Sequence, residues 1–168
     1  MEKRIGVVQL GEAHGLAATQ CIDVGELLFR IDGEPTSQPT RYSVQVGPEN
    51  HIDLPPTLSA EVLFDAFYWR YMNHHCEPNA MIQDREVYAL RTIYPEEAIT
   101  FNYNTTEAEM AEPFLCHCES SRCKGLIQGF KHLSSTDQQH LLPLLAPHLL
   151  PLLKAIPNAC AENDGENG

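Results

Sequence analysis

The sequence predicts a mostly β protein made of small antiparallel sheets. β-branched and aromatic residues recur in short runs, and glycine, proline or asparagine residues separate these runs. The runs do not alternate with long helical patterns, so a parallel sheet of the βαβ type is not expected. A chain of 168 residues, 43% of them hydrophobic, is long enough to form one domain with a buried core.

The predicted strands are short and precede residue 104. The clearest alternation is Tyr-Ser-Val-Gln-Val at residues 42–46, which is typical of a half-buried strand. Residues 33–40 contain two prolines and are predicted to be a loop. Strands are predicted at residues 4–9, 27–31, 42–46, 51–53, 80–82, 87–91 and 99–103.

Two other local patterns occur within this β region. Apolar residues between Ser59 and Tyr71 nearly follow helical spacing, and Ser59 suits the N-cap, so a short helix is predicted there. Gly11 and Gly15 bracket a turn, and the small residues after Gly15 would let a ligand approach the backbone amides. A plain hairpin turn explains the same residues and is favoured when they are taken alone.

The C-terminal part of the chain is rich in leucine and proline. Proline in a helix interior costs about 3 kcal/mol, so the prolines at positions 143, 147 and 151 predict short helical turns broken by kinks. Ser135, three residues before Gln138, resembles a capping box that opens a helix at Thr136. The paired leucines are expected to pack on the core instead of docking a partner. Residues 161–168 are expected to be disordered.

The charge and the cysteine content indicate which partners, cellular compartment and metal chemistry to expect for this protein. Eleven basic and 23 acidic residues give a net charge of −12, which disfavours direct binding to nucleic acid or to an anionic membrane and suits a basic partner. The N-terminus lacks a signal-peptide core and no apolar run approaches a membrane span, so an intracellular protein, cytoplasmic or nuclear, is expected. Six cysteines in such a protein favour metal binding over disulfides.

Three closely spaced cysteines predict a zinc site. Cys116, Cys118 and Cys123 follow the spacing Cys-x-Cys-x4-Cys, and a closed structural zinc site needs a fourth ligand. Cys76 is favoured because it would tie this segment to the body of the domain. The spacing lacks the usual iron–sulfur patterns. Two histidines remain as alternative fourth ligands, His75 and His117. Two cysteines are left as free thiols, Cys21 and Cys160.

Three features occur in an order that resembles a known family. Residues 73–79 read Asn-His-His-Cys-Glu-Pro-Asn, residues 99–103 read Ile-Thr-Phe-Asn-Tyr, and the cysteine spacing follows them. Together they resemble the SET-domain protein-lysine methyltransferases that carry a post-SET zinc motif. Gly15-Leu16-Ala17 looks like the N-terminal glycine turn of that family. The resemblance covers about residues 5–131.

The resemblance implies a fold, two cofactors and a set of site residues. The fold is the SET-domain arrangement of small antiparallel sheets with a pseudoknot, followed by a zinc-bound post-SET segment, and here by a short C-terminal helical tail. S-adenosylmethionine and a structural zinc ion are the implied cofactors. The positions that match the cofactor site are Gly15, Leu16, Arg70, Tyr71, Asn73, His74 and Leu126. The positions that match the methyl-transfer site are Tyr103 and Phe101. The positions that match the zinc site are Cys76, Cys116, Cys118 and Cys123.

The same resemblance divides the chain into segments. The SET domain is expected at residues 1–106 and the post-SET zinc-binding segment at residues 107–131. A helical tail rich in leucine and proline is expected at residues 132–160, followed by the disordered end.

The implied activity is the methylation of lysine side chains in a histone or non-histone protein. The lysine amine must be neutral to accept a methyl group, whereas its ordinary pKa is about 10.4. An apolar channel beside a sulfonium cation disfavours the ammonium form. No carboxylate base is evident in the motifs, and Tyr103 is expected to orient the amine. Phe101 leaves more room than a tyrosine would, which favours di- or trimethylation.

Two departures from the family pattern support an alternative. His14 precedes a single Gly15 where the family usually has Gly-x-Gly. Asn102 stands where the family often has Asp, which would remove a charge beside the substrate channel. The alternative is a catalytically inactive SET-fold zinc protein that acts as a binding or scaffold module.

Overall fold

The strands associate into several small sheets, as predicted. The computed structural model describes residues 3–156, and within this range the strands form five sheets of two or three strands each. The strands are β1 (Ile5–Leu10), β2 (Ala13–Ala18), β3 (Leu27–Arg30), β4 (Glu34–Thr36), β5 (Val44–Gln45), β6 (His51–Asp53), β7 (Asn73–His74), β8 (Ala80–Gln83), β9 (Glu86–Ala89), β10 (Thr100–Phe101), β11 (Phe114–Leu115) and β12 (Leu126–Ile127).

Antiparallel pairing predominates, again as predicted. β1 and β2 form a hairpin, β3, β9 and β8 form one three-stranded sheet in that order, and β4, β6 and β5 form another. β11 and β12 pair across the cysteine-rich segment. The exception is the pair β7 and β10, which run parallel and place Thr100 beside Asn73 and Phe101 beside His74. This pairing brings together the two sequence motifs that are separated along the chain.

The helices are short. The α-helices are α1 (Ala60–Ala66) and α2 (Ser135–Leu141). The 3-10 helices are Tyr68–Tyr71, Tyr103–Thr105, Phe130–His132, Leu142–Leu144 and Pro147–Leu152. Ser59 caps α1 as predicted, since its side chain accepts a hydrogen bond from the Val62 N–H at 3.3 Å. The predicted helix is divided at Phe67, which leaves the helical conformation before the 3-10 helix Tyr68–Tyr71.

Local differences from the predicted elements have simple causes. Residues 33–40 were predicted to be a loop, but β4 lies there; Pro35 is tolerated because β4 is the edge strand of its sheet. The strand predicted at residues 99–103 ends at Phe101, because the Asn102 side chain accepts the Asn104 N–H at 3.0 Å and starts a 3-10 helix at Tyr103.

The cap predicted for the tail helix was one residue too late. Ser134, not Ser135, accepts the Asp137 N–H at 3.1 Å, and α2 therefore begins at Ser135. Gln138, which was predicted to complete the capping box, is instead fully buried. Its Nε2 donates to the Phe130 carbonyl at 3.0 Å and its Oε1 accepts the Lys154 N–H at 2.8 Å.

The tail packs against the domain as predicted. A second apolar cluster joins Leu149 and Leu133 of the tail to Phe130 and Ala108, while the main core lies between the strands and the 3-10 helix Tyr68–Tyr71. None of the helices within residues 3–156 is long and apolar enough to cross a membrane. Cys160 and the end predicted to be disordered, residues 161–168, lie outside the described residues. The segment boundaries at residues 106 and 131 stay a prediction.

Candidate active site

Tyr103 lies at the centre of an aromatic cluster where β7 and β10 meet. Its ring is 4.7 Å from that of Phe101 and 5.2 Å from that of His74, measured between centroids. Its hydroxyl donates to the Met72 carbonyl at 2.8 Å. Burial raises the pKa of Tyr103 to about 12, so the phenol is neutral and keeps its proton at physiological pH.

His74 connects Tyr103 to the cysteine cluster. Its Nδ1 accepts the backbone N–H of Tyr103 at 3.1 Å, so the ring proton of neutral His74 is on Nε2. Nε2 lies 3.3 Å from the sulfur of Cys76, within hydrogen-bonding distance. Burial lowers the pKa of His74 to about 4, which makes the neutral imidazole the form present at neutral pH.

The four predicted zinc-ligand cysteines are brought together. The Sγ atoms of Cys76, Cys116, Cys118 and Cys123 all lie within 4.8 Å of one another. The β11–β12 hairpin holds the last three, and the Cys116 N–H donates to the Gly125 carbonyl at 2.6 Å across it. The two alternative ligands, His75 and His117, are not part of this group.

The chemistry of the cluster suits a thiolate-binding cation. Burial raises the pKa of Cys116 to about 11 and that of Cys76 above its ordinary range. These two thiols resist deprotonation unless a positive charge is near. At Cys118 the opposite holds, because hydrogen bonds to its sulfur outweigh its burial and lower its pKa to about 6. A divalent ion supplies that charge, and four sulfur ligands match the preference of zinc.

Two cavities meet at Tyr103. The larger, of about 630 Å³, is lined by Arg70, Asn73, His74 and Phe114, and we call it the cofactor cavity. The smaller, of about 50 Å³, has a mixed lining of aromatic, apolar and polar side chains, and we call it the channel. The residues that line the channel include Phe101, Met72, Trp69, Tyr42 and Glu107. The residues that line both cavities are Arg41, Tyr42, Arg70, Tyr103 and Met110.

Arg70 forms part of the wall between the two cavities. Its guanidinium carbon lies 3.2 Å from the centroid of the Tyr42 ring, a cation–π contact. Arg70 lies in the last turn of the 3-10 helix Tyr68–Tyr71, three residues before the 73–79 motif, and that helix packs on β2. The fold therefore fixes a positive charge at the point where the cavities join.

The remaining predicted cofactor residues have different positions. Gly15 does not itself line the cofactor cavity but lies next to Asn73, which does: a Cβ placed on Gly15 would be 3.1 Å from Asn73 Nδ2. Leu16 is a core side chain, 1% exposed, and its carbonyl accepts the Ile99 N–H at 2.8 Å. The Tyr71 ring packs with Phe64, at 5.5 Å between centroids, and does not line the cofactor cavity. Leu126 is 47% exposed and likewise does not line it.

The structure also shows where the two residues that depart from the family pattern, His14 and Asn102, are located. His14 packs against Phe64 and Tyr71, at 5.3 and 6.2 Å between ring centroids, and does not line the cofactor cavity. Asn102 is 4% exposed and directs its side chain to the Asn104 N–H and the Cys76 carbonyl. Asn102 does not line the channel, so its side chain has no direct contact with that cavity, and its effect on the charge there stays a prediction.

The sequence reasoning missed several residues of the site. Arg41, Phe114, Met110 and Glu107 line one or both cavities. Glu107 was assigned in the sequence analysis only as the first residue of the predicted post-SET segment, residues 107–131. The sequence offered one clue to its role, namely its position four residues after Tyr103. In the structure, the 3-10 helix Tyr103–Thr105 lies between the two residues.

Comparisons with known proteins agree with this geometry. A family model described as SET domain matches residues 13–104, more than half of the chain. "Methyltransferase flvH" of Aspergillus flavus is 31% identical over 124 residues, which are 71% of this chain and 62% of that protein. The "Histone-lysine N-methyltransferase, H3 lysine-36 specific" of Saccharomyces cerevisiae is 35% identical over 82 residues, which are 44% of this chain and 11% of that protein. The chain thus spans less than two thirds of the length of these relatives.

Solved structures share the fold. The methyltransferase domain of human histone-lysine N-methyltransferase SETMAR superposes with a TM-score of 0.56 at 17% identity, covering 77% of this chain and 59% of that one. KRYPTONITE, solved in complex with mCHH DNA, an H3(1-15) peptide and SAH, gives 0.56 at 19% identity, covering 75% of this chain and 30% of that one. The match to the family model over residues 13–104 and the shared fold lead to one conclusion: this chain belongs to the SET-domain family.

Proposed function

We propose that this protein is an S-adenosylmethionine-dependent protein-lysine N-methyltransferase. The observation that carries the proposal is the meeting of two cavities at Tyr103, one large enough for a nucleoside cofactor and one narrow and lined in part by aromatic side chains. A methyl donor and an acceptor amine that enter from separate sides would meet beside the phenol. Such preorganisation can lower a reaction barrier by roughly 7–11 kcal/mol.

The cofactor cavity fits a ligand of the size of S-adenosylmethionine. Its volume of about 630 Å³ falls within the range of small-molecule sites. Arg70, Asn73 and His74 would hold the cofactor. Gly15 packs behind Asn73, where a Cβ would meet Leu10 Cδ1 at 2.5 Å and Asn73 Nδ2 at 3.1 Å. When bound, S-adenosylmethionine supplies an activated methyl group on a sulfonium sulfur.

The channel suits a neutral lysine amine. The aromatic side chains of the channel disfavour a charged ammonium by desolvation, and the guanidinium groups of Arg41 and Arg70 add like-charge repulsion, which opposes the attraction of the Glu107 carboxylate. Tyr103, neutral and already bonded to the Met72 carbonyl, presents its oxygen lone pairs to the amine. Phe101 offers no hydroxyl to restrain a methylated amine, which supports di- or trimethylation.

We propose zinc as the ion of the cysteine cluster, with a structural role. The four sulfurs close the coordination sphere, which leaves no open position for a reacting group. The ion would fix the β11–β12 hairpin and with it Phe114, which lines the cofactor cavity. His74 would then orient the Cys76 thiolate from the second coordination shell.

We propose a basic protein as the substrate, with histone H3 as the first candidate. The names of relatives such as the yeast H3 lysine-36 enzyme and the H3 peptide bound to KRYPTONITE support this choice. A net charge of −12 favours encounter with a basic chain. That this protein does not bind nucleic acid directly stays a prediction.

The alternative, a SET-fold module that binds without catalysing transfer, makes a different prediction in the same experiment. The protein is incubated with methyl-labelled S-adenosylmethionine and either histone H3 or a cell lysate, and cofactor binding is measured by calorimetry. Label on protein supports the enzyme. Cofactor binding without label, across H3 and lysate, contradicts the enzyme and favours the module.

A further inference from the structure

We propose that Glu107 accepts the proton that the substrate lysine must lose in the channel, a role that rests on the proposed methyltransferase function. Among the described residues that line the channel, Glu107 is the one carboxylate. It shares this cavity with Tyr103 and Phe101, the predicted residues of methyl transfer.

The structure holds the Glu107 carboxylate in a fixed position with one oxygen available. Glu107 is 7% exposed. Its Oε1 accepts the Gln45 N–H at 2.7 Å and the Thr106 hydroxyl at 3.2 Å. Its Oε2 lies 3.8 Å from His51 Nε2, beyond hydrogen-bonding distance, and no described residue donates a hydrogen bond to it. One oxygen therefore anchors the side chain, and the proposal assigns the proton to the other.

The charges around this carboxylate permit both protonation states near neutral pH. Burial raises the pKa of Glu107 to about 7, where a general base is most effective. Burial lowers the pKa of His51 on β6 and of His148 in the 3-10 helix Pro147–Leu152, so both stay neutral beside it. Three further titratable or charged groups line the same channel: Tyr103, Arg41 and Arg70.

The proposed step is balanced in protons and electrons. An N–H bond of the lysine ammonium breaks, an O–H bond forms at Glu107 Oε2, and the electron pair remains on nitrogen. The neutral amine then forms a bond to the methyl carbon of the sulfonium donor, while the sulfur–carbon bond breaks and the donor leaves as a neutral thioether. Glu107 releases its proton to solvent before the next methylation.

The first test compares Glu107→Gln with wild type, using histone H3 and labelled S-adenosylmethionine. Glutamine keeps an oxygen for Gln45 and Thr106 but cannot accept a proton. We expect turnover to fall about 100-fold, with cofactor affinity unchanged by calorimetry. The wild-type rate should rise with pH through an inflection near the Glu107 pKa of about 7, and the variant should lack that inflection. Glu109→Gln, at an exposed site two residues away, is the matched control and should behave as wild type.

Two further measurements separate proton transfer from a structural role. An H3 peptide with thialysine at the target position carries a less basic amine, so the defect of Glu107→Gln should shrink on it. Glu107→Asp keeps a carboxylate and should retain the pH inflection at reduced rate, and it serves if the glutamine variant fails to fold. Infrared difference spectra of the protein without cofactor should show a protonated carboxyl band that disappears through the Glu107 pKa of about 7 and that Glu107→Gln lacks.

The outcomes distinguish this inference from the proposed function. A Glu107→Gln protein that matches wild type in rate and pH profile overturns the role of Glu107 and leaves the methyltransferase intact. An equal defect on lysine and thialysine, with an unchanged infrared spectrum, also overturns it. Wild-type protein that transfers no label to H3 or to lysate proteins contradicts the proposed methyltransferase function, and it contradicts the role of Glu107 as well.

Discussion

The imidazole of His74 accepts the backbone N–H of Tyr103 at 3.1 Å, and this hydrogen bond determines which nitrogen carries the proton. The other nitrogen, Nε2, therefore points its hydrogen toward the Cys76 sulfur 3.3 Å away. A single ring thus spans the proposed metal site and the proposed methyl-transfer site. Because the two sites share this side chain, a disturbance of one should be measurable at the other.

Removal of the metal should loosen both the cysteine hairpin and the cofactor site. In the absence of the ion, four thiols must pack together without the binding free energy that zinc supplies to folding. We expect a chelator to raise hydrogen exchange in residues 113–127 and to weaken S-adenosylmethionine binding, while the β3–β9–β8 sheet stays protected. Cys118→Ser should mimic the chelator, and Cys21→Ser, at an exposed thiol, should not. Unchanged exchange after chelation, with metal loss verified by elemental analysis, would contradict the zinc assignment.

Tyr103→Phe should separate catalysis from cofactor binding. The change removes the hydroxyl that donates to the Met72 carbonyl at 2.8 Å, and the unpaired carbonyl should lower the free energy of unfolding by about 1–2 kcal/mol. Loss of the group that positions the amine should reduce methyl transfer about 100-fold. Tyr94→Phe, at an exposed tyrosine, is the control. Full transfer by Tyr103→Phe would refute the role of this residue.

Gly15→Ala should weaken the binding of S-adenosylmethionine without unfolding the β1–β2 hairpin. A Cβ at this position would lie 2.5 Å from Leu10 Cδ1 and 3.1 Å from Asn73 Nδ2, so the end of the Leu10 side chain must move and the Asn73 amide must give by a few tenths of an ångström. We expect the dissociation constant for S-adenosylmethionine, measured by calorimetry, to rise about tenfold, equivalent to about 1.4 kcal/mol. In the control, Gly6→Ala, the added Cβ meets Thr19 at an ordinary 3.6 Å. Equal affinities for the two variants would place the cofactor away from Gly15.

Glu107 should make the fold less stable as the pH rises. Burial raises the pKa of Glu107 from 4.5 to about 7, so its protonated form is favoured in the folded state. Its contribution is fully present below pH 4.5 and is lost as the pH rises through about 7, a change of about 3 kcal/mol. In urea unfolding, the stability of wild type relative to Glu107→Gln should fall over this window. Parallel pH–stability curves would show that the carboxyl is not buried as described.

Gln138 should be essential for anchoring the tail. Its fully buried side chain joins the Phe130 carbonyl to the Lys154 N–H, and both backbone groups would lose their partner in Gln138→Ala. We expect the free energy of unfolding to fall by about 3 kcal/mol. Gln139→Ala changes a neighbouring residue that is only partly buried and should cost much less. Similar melting temperatures for the two variants would argue against the role of Gln138.

Sequence reasoning succeeded where local chemistry decides the structure. The cap at Ser59 follows from residues within one helical turn, and the leucine-rich tail packs because its apolar surface must be covered. The gathering of Cys76 with three distant cysteines was predicted because metal chemistry limits the ligand set.

Other features depend on partners far away in the chain. Glu107 sits in an acidic segment that suggests solvent exposure, but its carboxylate accepts the N–H of Gln45, 62 residues earlier. The Asn102 side chain bonds to the Cys76 carbonyl and the Asn104 N–H, a placement that the sequence pattern alone did not predict. Two adjacent serines at the start of α2 offer equivalent caps, and only tertiary packing selects Ser134.

The most direct test of the account is a mass spectrum of histone H3 after incubation with this protein and S-adenosylmethionine that carries a deuterated methyl group. The account predicts deuterated methyl groups on a lysine side chain with wild-type protein, and a strongly reduced signal with Tyr103→Phe. Absence of the label from H3 and from lysate proteins, when calorimetry shows the cofactor bound, would contradict it.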